Sequence, residues 1–480
     1  MSFSPILPEN LWDHQKRAVE EFFSLSHMEP YYGLLFEQGT GKTLTLITIL
    51  RNLFTKHGRP LKTLILCPQA VVDNWRREVD KFSQCGRFVR LLTGTKKERI
   101  ATLEEKDEGQ IFVTNFEALD MEGLFWTRKG ESRITRALGF EVLVVDEAQR
   151  MRTHNAKRVK ACIRMADKIF YRFILTGTPI LNGPEDVWAQ YRILDGGKAF
   201  SESFYNFRNL YFIDKNAGMP KDKHFPDWKP RPETEAAIGK LMYSRAMRVE
   251  KSECLDLPPL VQQRLAVAMS PQQQRLYDEM KRDFIAYLGS DAVVAQLAIT
   301  KALRLMQLVS GFASLDDGTV KELPCPRYDA LRDLLDDHAR TKKVIVWASW
   351  SSNYAAVKKI CAELGLECVF LTGEQSHKEK AAAIEAFTKG SARVLCSNPA
   401  AGGCGINLVE ASLSIWLSRT FSLEQRLQAM ARNHRGGSEI HDRITSIDLY
   451  VPGTIDELIL DALDRKEAVA EAILGARGKI

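Results

Sequence analysis

Hydrophobic and polar positions follow more than one pattern along the chain. Between Tyr31 and Leu175, short apolar or β-branched runs alternate with segments of helical periodicity, which predicts alternating strands and helices. The run from Val142 to Val145 contains no polar position. A strand of that kind fits a parallel sheet that is covered by helices on both faces. We therefore predict a doubly wound α/β lobe in the first part of the chain.

The pattern changes after Asp195 and returns later in the chain. Up to Leu323 the periodicity is that of helices and loops, with no strand alternation. Alternation resumes at KKVIVWASW and continues to ITSIDLY, which predicts a second α/β lobe, and the segment after Thr454 has the pattern of a terminal helix. The predicted domains are a first lobe over 1–195, a helical protrusion over 196–252, a linker with a second helical protrusion over 253–325, and a second lobe over 326–480.

Composition narrows the class of protein without identifying it. The chain has 480 residues, of which 45% are hydrophobic and 27% charged, and its net charge is +6. These values exclude collagen-like and largely disordered proteins and permit a nucleic-acid partner. No apolar run approaches the roughly 20 residues that span a bilayer. The nine cysteines include no CxxC pair. We expect a soluble, non-secreted monomer in the cytoplasm of a prokaryotic cell or a virus-infected host, without a transition metal.

A glycine-rich segment, FEQGTGKT, stands where a predicted strand meets a predicted helix. Gly39 and Gly41 allow backbone N–H groups to turn toward phosphate oxygens. Lys42 can reach the terminal phosphates of a nucleotide, and Thr43 can offer its hydroxyl to Mg²⁺. The alternative is an ordinary turn, because Gly-Lys-Thr also occurs there. The predicted nucleotide-binding residues of this segment are Glu37, Gln38, Gly39, Thr40, Gly41, Lys42 and Thr43.

Two carboxylates follow a fully apolar strand in VLVVDEAQ. Asp146 and Glu147 therefore lie at the carboxyl end of that strand, which is the edge where open α/β sheets bind ligands. We predict that Asp146 holds Mg²⁺ and that Glu147 orients or deprotonates the attacking water. The alternative is an acidic pair that caps a helix, and the phosphate loop predicted in the same sheet makes it the weaker interpretation.

Basic residues form two further candidate sites. Gln428, Arg432 and Arg435 have the spacing i, i+4 and i+7, so one predicted helix would present all three on one face, where the arginines can clamp phosphates. The run from Arg150 to Lys160 includes Arg152 and Lys157, which we predict to contact DNA phosphates. For both sets the alternative is a solvated basic helix face.

The motifs occur in an order that resembles the SWI/SNF-type group of helicase superfamily two. The resemblance rests on LWDHQKRAV, EQGTGKT, TLILCPQAVVDNW, VTNFEAL, DEAQRMRTHNAKRVKA, LTGTPILNGPEDVW, SNPAAGGCGINLVEA and QAMARNHRGG, and it covers roughly Leu11 to Leu460. It implies two RecA-like lobes with a helical region between them, ATP and Mg²⁺ as cofactors, and a largely sequence-independent grip on duplex DNA. The arginines Arg432 and Arg435 look like the group's arginine fingers.

The resemblance also implies roles for single residues. Gln15 would read adenine. Residues matching the DNA-contacting segments are Pro68, Gln69, Trp75, Thr114, Gly403 and Asn407, and residues matching the coupling positions are Gln149, Thr176, Thr178 and Gly405. Gln149 departs from the group, which commonly has His at this position, and because Gln can still form hydrogen bonds we expect tuning rather than loss of function.

Three functions remain open from the sequence. The first is a DNA-dependent ATPase that translocates along duplex DNA. The second is a true strand-separating DNA helicase, which would share every catalytic residue with the first. The third is a nucleotide-switched DNA-binding subunit of a larger complex, and Gln149 is the residue that lends it support.

Overall fold

The computed structural model describes residues 3–25, 29–83, 85–105, 110–125, 139–220, 224–288, 295–315, 319–400 and 406–475. The chain divides into two compact units, one formed by Met1–Leu255 with Lys466–Ile480 and the other by Asp256–Arg465. Each unit is built on a parallel sheet of its own. Among the described helices, none combines the length and apolarity that crossing a membrane requires.

The first unit has a seven-stranded parallel sheet with helices on both faces. Its strands are β1 (Tyr31–Phe36), β2 (Thr63–Cys67), β3 (Val89–Leu92), β4 (Ile111–Asn115), β5 (Val142–Asp146), β6 (Tyr171–Leu175) and β9 (Ala246–Val249). Their order across the sheet is β3-β4-β2-β5-β6-β1-β9. The helices are α1 (Asp13–Leu25), α2 (Lys42–His57), α3 (Val72–Ser83), α4 (Lys96–Glu104), α5 (Lys157–Ala166), α6 (Asp186–Asp195), α7 (Phe204–Tyr211) and α8 (Thr234–Met242). A small antiparallel pair, β7 (Phe212–Asp214) and β8 (Trp228–Pro230), lies between α7 and α8.

The central strand β5 explains why the apolar runs contain few polar positions. Leu143 and Val145 pack into one hydrophobic cluster of the first unit, and Val142 and Val144 pack into the other. All four side chains are fully buried. Because successive side chains of a strand point to opposite faces, a strand that is covered on both faces must be apolar throughout.

The second unit has a six-stranded parallel sheet. Its strands are β10 (Leu260–Ala266), β13 (Lys343–Trp347), β14 (Cys368–Leu371), β15 (Val394–Ser397), β16 (Ala411–Trp416) and β17 (Ile444–Tyr450), in the order β10-β17-β16-β13-β15-β14. The helices are α9 (Pro271–Leu288), α10 (Ala295–Val309), α11 (Pro326–His338), α12 (Ser351–Glu363), α13 (His377–Thr388), α14 (Leu423–Met430) and the part of α15 (Ile455–Leu474) that precedes Lys466. An antiparallel pair is formed by β11 (Phe312–Ser314) and β12 (Val320–Glu322). The predicted fold class of two doubly wound parallel-sheet lobes is confirmed.

Local capping residues account for where several helices begin. Thr95 precedes α4, and its hydroxyl accepts the N–H of Glu98 while the Glu98 carboxylate accepts the N–H of Thr95. Ser376 and Glu379 form the same reciprocal pair at the start of α13. Each pair satisfies backbone donors that the first turn of a helix leaves without partners.

The expectation that no strands occur between Asp195 and Leu323 is wrong. Strand β9 returns to the first sheet beside β1, and β10 pairs with β17 in the second sheet. Both are edge strands. The sequence of β10, LVQQRLA, is polar because most of its side chains are exposed, so it lacks the apolar run by which the interior strands were found.

The second lobe was expected to extend over 326–480. In the structure, Lys466 onward belongs to the first unit instead. Ile473 and Leu474 are buried in the core of that unit. The hydroxyl of Tyr243 donates to the carbonyl of Leu474 at 2.7 Å. These contacts tie the end of α15 to the first unit.

A buried ion network stabilises the second unit. Asp448 on β17 accepts two hydrogen bonds from Arg426 of α14, at 3.0 and 2.7 Å, and lies 3.2 Å from Arg419. Asp456 at the start of α15 pairs with Arg327 and Arg419. All five side chains are nearly inaccessible. Burial opposes ionisation of Asp448, but the charges of Arg419 and Arg426 outweigh it and lower its pKa.

Replacing Asp448 by Asn should strongly destabilise the second unit, because it leaves Arg419 and Arg426 buried with one fewer counter-charge. Breaking such a pair costs about 3–5 kcal/mol, whereas Asp442→Asn, at an exposed carboxylate, should change stability by less than about 0.5 kcal/mol. Since the folded pKa of Asp448 is depressed, its contribution is present above the unfolded pKa of about 3.9 and is lost as pH falls through the folded pKa. Calorimetric melting of the full chain at pH 7 measures the difference. Equal melting temperatures for the two variants would contradict this.

Candidate nucleotide-binding site

The loop from Glu37 to Gly41 joins β1 to α2 at the carboxyl end of the sheet. Gly39 and Gly41 both have left-handed backbones, with φ of 88° and 87°. A Cβ added to Gly41 would lie 2.1 Å from Nε2 of Gln15. The left-handed φ favours glycine at this position, and a Cβ there would displace the amide of Gln15. The N-terminus of α2 that follows is a position that suits an anion.

Side chains of helix α1, which precedes β1, form hydrogen bonds with the backbone of this loop. Nε2 of Gln15 donates to the carbonyl of Gly41 at 3.1 Å, and its Oε1 accepts the N–H of Trp12 at 2.8 Å. Nε2 of His14 bonds the carbonyl of Thr40 at 2.8 Å. Because burial lowers the pKa of His14, the neutral ring donates here. Gln15 and His14 thus fix the backbone of the loop; Gln15 was predicted as an adenine-reading residue, and His14 was not predicted.

Lys42 and Glu37 organise the two ends of the loop. Nζ of Lys42 donates to the carbonyls of Phe36 and Glu37, at 2.8 and 3.2 Å. The carboxylate of Glu37 accepts the N–H of Lys251 at 2.9 Å, which joins the loop to the segment after β9. Gln38 and Thr43 are half-buried. The loop therefore carries a cation and a hydroxyl at the helix N-terminus, the groups that a nucleoside triphosphate with its magnesium ion requires.

The acidic pair lies at the end of β5. Oδ2 of Asp146 accepts the indole N–H of Trp75 at 3.0 Å, and Oδ1 accepts the N–H of Glu147 at 3.0 Å. Burial and the neighbouring charge of Glu147 raise the pKa of Asp146 to about 7, against the opposing effect of Lys42. A bound cation would relieve this unfavourable charge. The oxygens of Asp146 and Thr43 are ligands of the type that Mg²⁺ prefers, with waters completing its shell.

Gln149 bridges the acidic pair to the loop after β6. Its Nε2 donates to Oε2 of Glu147 at 2.6 Å, and its Oε1 accepts the hydroxyl of Thr176 at 2.7 Å. Oγ1 of Thr176 also accepts the N–H of Thr178 at 3.0 Å. Gln149 and Thr176 are fully buried. Of the predicted coupling residues, Gln149 thus contacts the carboxylate predicted to act on water, and Thr176 and Thr178 are connected to it through Gln149.

Gly177 brings the same loop against the nucleotide-binding loop. A Cβ at this position would lie 3.0 Å from the carbonyl oxygen of Phe36 and 3.1 Å from Cα of Glu37. A side chain here would require these backbone atoms to shift, so the close approach favours glycine. The glycine of LTGTP was visible in the sequence, but its contact with Phe36 depends on β1 and β6 being neighbours in the sheet.

The structure separates the predicted DNA-contacting residues into two groups. Trp75 and Thr114 are buried, so DNA contact by their side chains is not supported. Trp75 bonds Asp146. The hydroxyl of Thr114 donates to the carbonyl of Leu92 at 2.9 Å and accepts from Arg99 at 2.7 Å. Pro68 is also buried, and Arg152 is half-buried. The residues with exposed side chains are Gln69, Lys157 and Asn407. Gly403 and Gly405 lie outside the described residues.

The prediction that one helix face presents Gln428, Arg432 and Arg435 is wrong. Helix α14 ends at Met430, and the two arginines follow in a turn. The side chain of Asn433 donates to the carbonyl of Ala411 at 3.1 Å, which helps to hold this turn. Nη1 of Arg432 donates to the carbonyl of Ile406 at 3.3 Å, and Nε2 of Gln428 donates to Glu424 at 3.4 Å. Burial lowers the pKa of Arg435.

Comparison with known protein families accounts for this set of motifs. The profile of the SNF2-related domain matches residues 14–310, more than half of the chain. The chain belongs to the SNF2-related family. The profile of the helicase conserved C-terminal domain matches residues 326–437. These matches confirm the SWI/SNF-type resemblance and the prediction of a helicase-like ATP hydrolase.

Several relatives of this SNF2-related chain are similar over nearly all of it. A protein of Acyrthosiphon pisum secondary endosymbiont phage 1, p41, is 24% identical, with 91% of this chain and 93% of the phage protein covered. The human SWI/SNF-related matrix-associated actin-dependent regulator of chromatin subfamily A member 1 is 24% identical over 95% of this chain and 43% of its own length. YwqA of Bacillus subtilis, named as an ATP-dependent helicase/translocase, is 23% identical over 98% of this chain and 49% of its own length. The chain therefore spans less than half of these last two relatives.

A solved structure is also similar to this chain. The SWI2/SNF2 ATPase core of Sulfolobus solfataricus in complex with double-stranded DNA is 22% identical, covers 100% of this chain and 96% of the other, and gives a TM-score of 0.45.

The clash at Gly41 can be separated from backbone strain by a matched pair of variants. Gly41 and Gly58 flank α2 with left-handed φ of 87° and 68°, but a Cβ at Gly58 meets nothing within 4 Å. Each Gly→Ala change should therefore destabilise the fold by about 1–2 kcal/mol. Only Gly41→Ala should also displace Gln15 and abolish binding of a fluorescent ATP analogue. Equal affinity in both variants would show that the contact with Gln15 is not needed.

Proposed function

We propose that this SNF2-related chain hydrolyses ATP in response to duplex DNA and uses each cycle to move along the duplex. Family membership supports the ATPase activity, and the similarity to YwqA, which is named as an ATP-dependent helicase/translocase, supports movement along DNA. The chain spans less than half of YwqA. The activity and the DNA partner that we assign to this chain are therefore part of the proposal.

The residues around the phosphate loop have separate tasks in this proposal. Backbone N–H groups at Gly39 and Gly41 and the ammonium of Lys42 bind the phosphates, and Thr43 and Asp146 hold Mg²⁺. When bound, ATP would supply the phosphate bond that is hydrolysed, and Mg²⁺ would neutralise part of the charge on the phosphates. Glu147 orients the attacking water and accepts its proton.

The observation that carries the proposal is the buried bridge of Gln149. An enzyme that only hydrolysed ATP would need Glu147 and its water. Here the same carboxylate is joined through one amide to Thr176, and through its hydroxyl to Thr178. A shift of that loop must therefore move the carboxylate or break a buried hydrogen bond. This connection supports coupling between hydrolysis and movement.

DNA would be held through its phosphates, without sequence specificity. Gln69 and Lys157 offer exposed polar and basic groups on the first unit, and Asn407 does so on the second. Such contacts release counterions, so binding should weaken as salt rises. Arg432 and Arg435 would stabilise the charge that develops on the phosphate during hydrolysis.

The two other functions are distinguished from this one by different observations. Strand separation would use the same nucleotide site, so only a strand-displacement assay distinguishes it. The switched-subunit interpretation depended on Gln149 failing to replace His. Since Gln149 makes both hydrogen bonds of a bridge, the structure favours hydrolysis.

Location and assembly remain predictions. The bacterial and phage relatives support a cytoplasmic location in a prokaryotic cell or an infected host. A monomer remains our prediction for the assembly state.

The proposal is tested by ATPase rates of wild type and Lys42→Ala with no nucleic acid, single-stranded DNA, duplex DNA and RNA. Duplex DNA should stimulate wild type strongly, less so at higher salt, and Lys42→Ala should show no stimulation because the phosphates lose their cation. Turnover by wild type that is the same on every polymer would sink the proposal.

Gln149 should be needed for turnover and not for nucleotide binding. In Gln149→Met the amide is replaced by an apolar group of similar size, and Glu147 and Thr176 lose their shared partner. DNA-stimulated turnover should fall by about tenfold, equivalent to roughly 1.4 kcal/mol on the barrier, with unchanged affinity for ATP. Gln149→His, which keeps one donor and one acceptor when neutral, should retain more activity. Wild-type turnover in Gln149→Met would exclude the bridge from coupling.

A further inference from the structure

The antiparallel pair β7–β8 and the described residues next to it, 215–220 and 224–227, form a feature that the catalytic site does not use. It is anchored on Asp214, whose side chain is 7% exposed. Its Oδ1 accepts the N–H groups of Asn216 at 3.0 Å and Asp227 at 2.9 Å, and its Oδ2 accepts Nε2 of His224 at 2.6 Å. The side chain of Asn216 donates to the carbonyl of Phe225 at 2.8 Å. These bonds fix the backbone that bears Phe225.

The apolar side chains of this feature point away from the core. Phe225 is 78% exposed, more than any other large hydrophobic side chain of the described residues, and Met219 and Ile213 are 50% and 40% exposed. Single exposed hydrophobic residues are common on protein surfaces and need no explanation. Three on one short segment, one of them an aromatic ring on a backbone held by a buried carboxylate, indicate a contact surface.

The charge around Phe225 favours a polyanion as partner. Lys215, Lys229 and Arg231 are exposed on the same segment. Of the two described acidic residues there, Asp214 bonds His224 and Asp227 pairs with Lys229 at 3.0 Å, which leaves Lys215 and Arg231 as the excess of positive charge. Basic side chains beside an exposed aromatic ring are the combination by which proteins hold unpaired nucleotides, with the ring stacked on a base.

Stacked side chains connect this surface to the basic segment after the acidic motif. The guanidinium of Arg208 lies 4.1 Å from the ring centroid of Trp228 on β8 and 5.6 Å from that of Phe204. Phe204 stacks on His154, with centroids 3.6 Å apart and ring planes 8° from parallel. His154 lies between Arg152 and Lys157, two of the residues predicted to contact DNA. The stack thus connects the hairpin to a candidate DNA-binding segment of the same unit.

We propose that the surface formed by Ile213, Lys215, Met219, Phe225 and Lys229 binds an unpaired nucleotide of DNA, with Phe225 stacked on the base. The proposal rests on the proposed function, in that the chain must act on DNA. It deepens that function by naming the substrate: a duplex that adjoins a single-stranded arm, such as a fork, rather than an uninterrupted duplex.

The test compares affinities for a blunt duplex and for a forked duplex of equal length, by fluorescence anisotropy, with melting temperatures as a check on folding. Wild type should prefer the fork. Phe225→Ala should lose about five- to a hundredfold in fork affinity, the range expected for one stacked base, with blunt-duplex affinity and duplex-stimulated ATPase unchanged. Phe170→Ala, which removes another exposed Phe of the same unit, should change none of these values.

Conservative variants separate stacking from general apolar contact. Phe225→Tyr should retain the preference for the fork and Phe225→Leu should lose it, because only an aromatic ring stacks on a base. Full fork affinity in Phe225→Ala or Phe225→Leu would overturn the proposal while duplex-stimulated ATPase kept the proposed function in place. A wild type that neither binds DNA nor responds to it would overturn both, and binding of Phe225 to a protein partner would become the alternative.

Discussion

The bridge made by the buried amide of Gln149 is the interaction on which the arrangement of the site depends. One side chain donates to Glu147 and accepts from Thr176, so neither of these groups can move alone. Gly177, the next residue, packs against the carbonyl of Phe36. The nucleotide-binding loop, the acidic pair and the loop after β6 therefore form one packed assembly at the carboxyl ends of β1, β5 and β6, which the sheet order β5-β6-β1 makes neighbours.

That assembly contains one residue, Glu147, whose backbone conformation is unfavourable for a residue other than glycine. Glu147 has a φ of 54°, in the left-handed region, which costs a non-glycine residue roughly 1–3 kcal/mol. The contacts that hold it there are its own N–H on Asp146 and the amide of Gln149 on its carboxylate. Strain that is fixed by surrounding contacts is characteristic of sites where a group must be held in position before the reaction begins.

The sequence predicted the interior of this fold better than its edges and better than the contacts within the site. Interior strands such as β5 were readable because burial on both faces demands apolar runs. The edge strand β10 was missed because its exposed side chains are polar. The bond from Trp75 to Asp146 joins segments 71 residues apart, so no local pattern contains it. The prediction that one helix presents Arg432 and Arg435 was wrong because α14 ends at Met430. Beyond that end Asn433 bonds Ala411, a tertiary contact that overrides helical periodicity.

Gln149 also explains how a departure from the family pattern can preserve a function. A neutral His could bridge Glu147 and Thr176, but a protonated imidazole has two donors and no acceptor, so it could not receive the hydroxyl of Thr176. His changes charge between about pH 5 and 8, whereas an amide does not titrate. A histidine there would therefore make this bridge only while its ring is neutral. The amide keeps one donor and one acceptor at every pH, so the polarity of the bridge from Glu147 to Thr176 is fixed by chemistry rather than by protonation.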